Sequence, residues 1–421
     1  MNPARLVLVL ALGALLAVSA ACGGGSPPAA VDAPAGGIAV IGSDYTSSSL
    51  SVLDATTGAL AVEGVLHSGS RTPGLSVALS GDVVLPSSIP RYAGLVLIDR
   101  YPAGVLTFFE PYGGGVWAQL PIATGFAANP QDVLFWSTDR AFVSRYEPNP
   151  DPAAAPDERG DDLVVLDLAG SDMGWPPQRA GTISFSPLLA QLGSEGLDAR
   201  PGRLARAGDW MWVALGHLSR HFDRAGDALV ARIDPRNETV DDAAVIPGVA
   251  NCTAVVAPDE FHVYASCSGL VQDGRAAQLE RSALVVVDAN VANPPTARVV
   301  ASAADGQGGP FGFDLQVARG RWLLAVRWGD LATGEPDRLV ALDLEGPDGV
   351  LREVHVAATA YGLGGLLADD ARGRVYVGDA DPADPRVYVY RVTDSGFEAE
   401  ASVVTHPATG LPPRALGAYG F

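Results

Sequence analysis

The feature that most constrains the fold is a recurring unit in which a run of aliphatic and β-branched residues closes on an aspartate and is followed by a turn. The first copy is Leu50-Ser51-Val52-Leu53-Asp54, and further copies occupy residues 95–99, 163–167, 229–234, 284–288 and 339–343. A last one, Val387-Tyr388-Val389-Tyr390-Arg391, keeps the apolar run and loses the acid. Self-similarity of this kind marks a repeat architecture, and short strands separated by Gly, Pro and Asp turns point to a propeller. Four strands can be placed in each of the last repeats: 253–257, 261–265, 284–287 and 297–300; then 313–318, 322–327, 339–342 and 353–356; then 365–368, 375–378, 387–390 and 400–404. The first repeat lacks an opening strand before Ile38, and the C-terminal segment 413–421 is available to supply it. The expected fold is therefore all-β, a seven-bladed β-propeller over residues 37–421 with a C-terminal strand closing the first blade. Such closure removes the exposed sheet edges that invite aggregation.

With its strand, Asp and Gly-containing turn per unit, as in Leu53-Asp54-Ala55-Thr56-Thr57-Gly58, the mature chain resembles seven-bladed propellers of the YVTN type, which include bacterial envelope lipoproteins. The Tyr-Val-Thr-Asn heptad of that family is missing, so the resemblance is architectural. It implies a fold and a habit of binding at the face formed by blade loops, and many unrelated functions use that fold. The recurring Asp is read as a turn-former that bonds nearby backbone amides.

At the N-terminus, Arg5 precedes an apolar run that ends in Ser19-Ala20-Ala21-Cys22 and then in the flexible stretch Gly23-Gly24-Gly25-Ser26-Pro27-Pro28. The run is short for a membrane-spanning helix, which needs about 20 apolar residues. The arrangement resembles a bacterial lipobox followed by a tether, although Ser19 stands where Leu or Val is usual; plain secretion is the alternative. The resemblance implies a signal over residues 1–21, lipidation at Cys22, a tether over 22–36, and a cell-envelope, lipid-anchored destination. The residue next to Cys22 is Gly23 and not an acid, which by the same resemblance favours the outer membrane.

The formal charge of −20 argues against a nucleic-acid partner, because phosphate recognition needs a basic face. The 28 basic residues are all arginines. The absence of lysine excludes Schiff-base and Ser-Lys chemistry. Besides Cys22 there are two cysteines, Cys252 and Cys267, flanking a hairpin expected to turn at Asp259-Glu260. Pairing Pro258 with Phe261 sets the cysteines opposite each other, within disulfide reach. In an oxidising envelope a cross-strand bridge is expected; a reduced pair of core thiols is the alternative.

Candidate chemistry is sparse. His217 and His221 have the spacing of two ligands on one helical face, but no helix is expected there and the intervening Glu of a zinc protease is missing, so a solvated loop is expected. Asp379, Asp381 and Asp384 could hold a hard cation such as calcium. They lack the Gly and distal Glu of an EF-hand loop, which favours a solvated acidic turn and no cofactor. Long inserts at 147–162, 186–199, 217–227 and 269–282 break the blade rhythm and contribute Arg220, Arg224, Arg275 and Arg281 as candidate binding residues. Two functions follow. One is a non-catalytic envelope lipoprotein that binds a protein or polysaccharide through blade loops. The other is a propeller hydrolase of lactonase type with a metal in its central channel.

Overall fold

A computed structural model of the chain describes residues 36–111, 115–168, 177–290 and 294–420. Cys22, the expected signal over residues 1–21 and all of the expected tether except Gly36 lie outside these residues. The described chain forms seven antiparallel sheets of four strands each. Their innermost strands adjoin in succession around one axis, which makes a seven-bladed propeller.

The ring closes as the sequence suggested. Pro413–Tyr419 is the innermost strand of blade 1 and pairs with Gly37–Ser43, with Ile38 opposite Ala418 and Val40 opposite Leu416. The closing strand buries Ala415, Leu416 and Tyr419, and a seam of Leu367, Tyr376, Val387, Ile38, Val40 and Leu416 joins blade 7 to blade 1. The segment leading into this strand is anchored by His406, whose buried ring places Nε2 3.0 Å from the Ser49 carbonyl and Nδ1 2.9 Å from the Thr405 hydroxyl. A side chain at Gly42 would meet the His406 ring at 2.6 Å, so only glycine fits there.

Burial explains which residues form which strands. In blade 6 the second strand, Trp322–Arg327, is buried throughout, because each inner sheet is covered on both faces by its neighbours. The outer strand, Leu351–Val356, has no fully buried residue and carries the charges Arg352 and Glu353. The core is accordingly a set of seams between blades; Trp322 and Leu324 of blade 6, for example, pack with Leu366 and Val375 of blade 7.

The recurring strand-Asp unit is the third strand of five blades and, in blade 2, the second; in blade 7 the third strand keeps the apolar run without the acid. Ser48–Leu53, Gly160–Asp167, Ala228–Asp234, Ser282–Asp288, Arg338–Asp343 and Arg386–Thr393 are third strands, whereas Leu95–Asp99 is the second strand of a blade whose inner strand is only Val83–Val84. A strand ending in Asp looks the same in sequence at either position, since neither periodicity nor composition reports strand order. The turn role holds for the third-strand acids Asp54, Asp234, Asp288 and Asp343. Asp54 Oδ1 accepts the amides of Thr56 and Thr57 at 3.0 and 2.7 Å, and Asp234 Oδ1 accepts those of Arg236 and Asn237 at 2.9 and 3.1 Å. Asp99 is different. It is buried and accepts both the amide and the hydroxyl of Ser80, at 2.8 and 2.5 Å, and burial pushes its carboxyl above the usual range.

Cys252 and Cys267 are directly opposed and form a disulfide. The rest of the hairpin pairs one residue out of the register expected from a turn at Asp259-Glu260, with Ala254 opposite Ser266, and a bulge between Cys252 and Ala254 absorbs the offset.

Strand alternation separates the two faces. Connections between second and third strands, and those between blades, emerge on one face, here called upper; first-to-second and third-to-fourth turns emerge on the other. The inserts at 147–162, 217–227 and 269–282 join second to third strands, and that at 186–199 joins blades 3 and 4. All four therefore lie on the upper face.

Candidate binding site at the mouth of the axial cavity

The seven inner strands enclose an axial cavity of about 610 Å³. Its walls come from the strand edges, where backbones approach too closely for most side chains. A Cβ at Gly202, for instance, would lie 2.2 Å from the Thr253 carbonyl of the next blade. The cavity opens on the upper face, since Tyr45, Arg100, Trp328 and Tyr361 reach it from upper connections and Tyr146 from the upper end of a second strand.

Aromatic side chains form an arc at this mouth. Phe313 packs edge-on against Trp328 with ring centroids 4.4 Å apart, Trp328 lies 6.1 Å from Tyr361, and the Arg414 guanidinium sits 5.2 Å from the Tyr45 ring centroid. Arg414 also donates to the Tyr361 carbonyl at 3.1 Å, which links the two ends of the arc. Three of these rings are well exposed: Tyr45 at 66%, Tyr361 at 52% and Phe313 at 48%. The polar wall contains Asp82, Gln131, Arg203, Thr253, Asp314 and Gln316. Most of its charge is neutralised. Arg100 Nε donates to Asp82 at 3.0 Å, and Arg203, which donates to the Leu85 carbonyl at 2.8 Å, pairs with the buried Asp132 at 3.5 Å. The lining carboxylates are Asp82 and Asp314, no lining residue is a histidine, and no group of three His, Cys, Asp or Glu side chains that could hold a metal occurs among the described residues.

The upper loops are held by buried arginines, each at the end of a second strand or in an inter-blade connection. Arg145 is fully buried and grips Asp162 with Nε and Nη2, both at 2.7 Å, while donating to the Asp157 carbonyl at 2.8 Å. Arg327 does the same with Asp305, at 2.9 and 2.8 Å through Nη1, and with the Gly309 and Ala303 carbonyls. Arg200, in the connection before blade 4, pairs with Glu147 and packs over the Phe222 ring at 4.5 Å. A second set of acids ties the blades together. Asp337 accepts the amides of Gly329, Tyr361 and Leu363 at 2.7 to 3.0 Å, Asp161 accepts those of Ala199 and Arg200 at 2.8 and 2.6 Å, and Asp227 accepts that of Gly248 at 3.0 Å. Burial raises Asp161 to about 7.

These acids were missed in the sequence, yet a signal is present: Asp161-Asp162-Leu163-Val164, Asp227-Ala228-Leu229-Val230 and Asp337-Arg338-Leu339-Val340 share an Asp two residues before the Leu-Val of a third strand. The aromatic arc has no such signal, because its members come from blades 1, 6 and the connection to blade 7.

The arginines singled out from sequence bridge neighbouring loops and do not line the cavity. Arg220 donates to the Asn149 carbonyl, Arg224 to Gly196, Arg281 to Ala225 and Gly226, and Arg275 to Trp328, all at 3.0 to 3.3 Å. His217 departs from the expected solvated loop. It is buried with Nδ1 2.7 Å from the Asp227 carbonyl, and burial holds its pKa below the usual value, whereas His221 is exposed. The reason is that the loop folds back, with Leu218 bridging both Asp198 and Ala225. The acids of the 379–384 turn have separate partners. Asp379 is buried 3.0 Å from His355 Nε2, whose Nδ1 lies 2.7 Å from the Tyr390 hydroxyl; Asp381 accepts the Ala383 amide at 2.9 Å; and Asp384 accepts Arg386 Nε at 2.6 Å.

No family model matches the chain, and no curated protein matches it in sequence. Solved structures share its fold. Hydrazine synthase of Kuenenia stuttgartiensis is 14% identical over 82% of this chain and 89% of its own, with a TM-score of 0.52. A candidate 6-phosphogluconolactonase of Bacteroides uniformis is 14% identical over 91% of this chain and 100% of its own, with a TM-score of 0.50. A protein of unknown function from Desulfotomaculum acetoxidans is 11% identical over 91% of this chain and 98% of its own, with a TM-score of 0.53. At such identities the likeness establishes the seven-bladed architecture and leaves function to the site itself.

Proposed function

We propose that this is a lipid-anchored, non-catalytic protein of the bacterial envelope, held by acyl chains on Cys22, whose propeller binds a protein or polysaccharide on its upper face. The observation that carries the reading is the coincidence of three features on that face: the long loops, the mouth of the axial cavity and the exposed aromatic arc. Concave sites that combine aromatic surface with a few polar groups are the usual form of a binding pocket.

The likeness to a candidate lactonase keeps a hydrolase in view, but the side chains favour binding. A metal-assisted hydrolase needs several acids or histidines converging on the axis, and the cavity wall offers Asp314 together with Asp82, which is already paired with Arg100. Affinity capture of the tagged full-length protein from its own envelope tests the proposal. A partner retained by the intact chain and lost when loops 147–162 and 269–282 are shortened is the expected result. Loss of metabolic palmitate labelling in Cys22→Ala tests the anchor. Hydrolysis of a lactone by the purified protein, abolished in Asp314→Asn, would overturn the binding reading.

A further inference from the structure

We propose that the axial cavity binds a neutral saccharide, whose rings stack on the aromatic arc at the mouth while its hydroxyls bond to the polar wall. This rests on the binding function proposed above and names the ligand of that face.

Phe313 carries the argument furthest. It belongs to an innermost strand, Phe311–Ala318, where the neighbouring Phe311 is fully buried, yet Phe313 is 48% exposed and lines the cavity. Scattered exposed apolar residues need no explanation, but contiguous large rings around a concavity mark a binding surface. Phe313, Trp328 and Tyr361 are contiguous, and the edge-on contact of the first two at 4.4 Å makes them one supported surface with no gap between them for a cation. A cation cage needs rings surrounding an open centre. At the other end of the arc Tyr45 already has the Arg414 guanidinium against it.

Charge points the same way. Arg100 is paired with Asp82 and Arg203 with the buried Asp132, while Arg414, whose guanidinium bonds the Tyr361 carbonyl and whose buried Nε has no partner, is balanced in the charge sum of the lining by Asp314. The lining therefore selects neither a strong anion nor a strong cation. It does present hydrogen-bonding groups suited to hydroxyls. Asp314, half-buried beside Phe313 on the same strand, accepts a long bond of 3.3 Å from the Gly365 amide through Oδ2, and Gln316 lines the same wall. An uncharged ligand with apolar C–H faces and hydroxyl edges matches both halves of the site, and a cavity of about 610 Å³ has the size of an ordinary small-ligand pocket.

The test titrates the full-length protein by calorimetry with pentasaccharides of glucose, N-acetylglucosamine, mannose and galactose, and with tetramethylammonium and inorganic phosphate as charged probes. In parallel, the protein is sedimented with insoluble envelope polysaccharide. Binding of at least one pentasaccharide or of the polymer is expected, weakened about tenfold or more in Tyr361→Ala and in Phe313→Ser. Both side chains are exposed, and an unchanged melting temperature verifies that the variants fold. Sedimentation without pentasaccharide binding assigns the site to polymer; binding to both assigns it to free and polymeric sugar alike. Failure of every saccharide at millimolar concentration, binding of a charged probe alone, or saccharide binding that both variants leave intact overturns the proposal. If the envelope-capture experiment still retains a loop-dependent partner, the binding function stands and only the saccharide assignment falls; if it retains none, both fall.

Discussion

The two ends of one strand, Arg338–Asp343 of blade 6, show how the same residue type does different work on the two faces of the ring. Asp337, immediately before the strand on the upper face, is fully buried and accepts three backbone amides, one from the connection to blade 7 and one from the first residue of blade 7's inner strand. Asp343, at the lower end, is partly exposed and accepts the Glu345 amide and the Arg321 guanidinium, within its own blade. Asp337 thus ties two blades together whereas Asp343 closes a turn within one, although on the lower face Asp370 also joins blades by accepting the Arg319 amide at 2.7 Å. The buried arginines Arg145, Arg200 and Arg327 belong to the upper system as well, so the face with the longest loops is also the face with the most buried polar structure. Long loops would otherwise be mobile, and a preorganised cavity mouth requires that they are not.

The largest effect expected is from removing the tie that completes the ring. Deleting residues 413–421 takes away the inner strand of blade 1 and exposes both its seam partners, and we expect no cooperative thermal unfolding by circular dichroism; a normal melt would show that blade 1 is dispensable for closure. Next, Asp337→Ala leaves three backbone donors without their acceptor and should destabilise by about 3 kcal/mol or more in urea titration, given about 1–3 kcal/mol for each unsatisfied buried group. A loss similar to that of a lower-face variant would erase the distinction between faces. Reduction of Cys252–Cys267, which closes a 15-residue separation between first- and second-strand positions of blade 5, should cost about 3 kcal/mol by the chain-entropy argument. Asp54→Ala, the lower-face counterpart, should cost only about 1 kcal/mol, because the Thr56 and Thr57 amides it releases can turn to water.

The smallest effect is a pH dependence. Burial holds the pKa of His406, and of His217, below the ordinary value, so the folded state favours neutral rings and the unfolded chain binds more protons. Stability from these groups is present above the unfolded histidine value of about 6.5 and is lost as pH falls through it toward the lowered folded value. His406→Gln should therefore lose less stability than the wild type between pH 8 and pH 5.5 in thermal melts. Equal losses would mean that the closing segment does not desolvate the ring.

Much of the architecture was legible in sequence because a propeller repeats its physics. The third strands of blades 1 and 3 to 6 are apolar runs bounded by an acid, so the run from Leu284 to Val287 or from Leu339 to Leu342 announces a blade without reference to its neighbours. Blade 2 shows the limit of that reasoning. Leu95-Val96-Leu97-Ile98-Asp99 has the same signature yet occupies the second strand, and Asp99 lies at the upper end of its sheet, bonded to Ser80 in the connection from blade 1. The cysteine pair was placed correctly although the hairpin register was one residue off, since the bulge after Cys252 restored the alignment. His217 looked like a solvated loop residue because nothing local reveals that Leu218 folds the loop back over it.

What the sequence determined by itself is what depends on neighbours along the chain: the strand-turn unit, the number of blades, the missing first strand and the segment that replaces it, and the turn role of acids such as Asp54 and Asp234. Only the tertiary structure decided which residues meet across blades. Tyr45, Phe313, Trp328, Tyr361 and Arg414 are separated by hundreds of positions at most and by a few ångströms in space, and no periodicity along the chain encodes that meeting. The physical reason is that a closed ring brings the inner edges of all its blades to one axis. A site built there is a property of closure, whereas each blade's hydrophobic pattern is a property of its own strands.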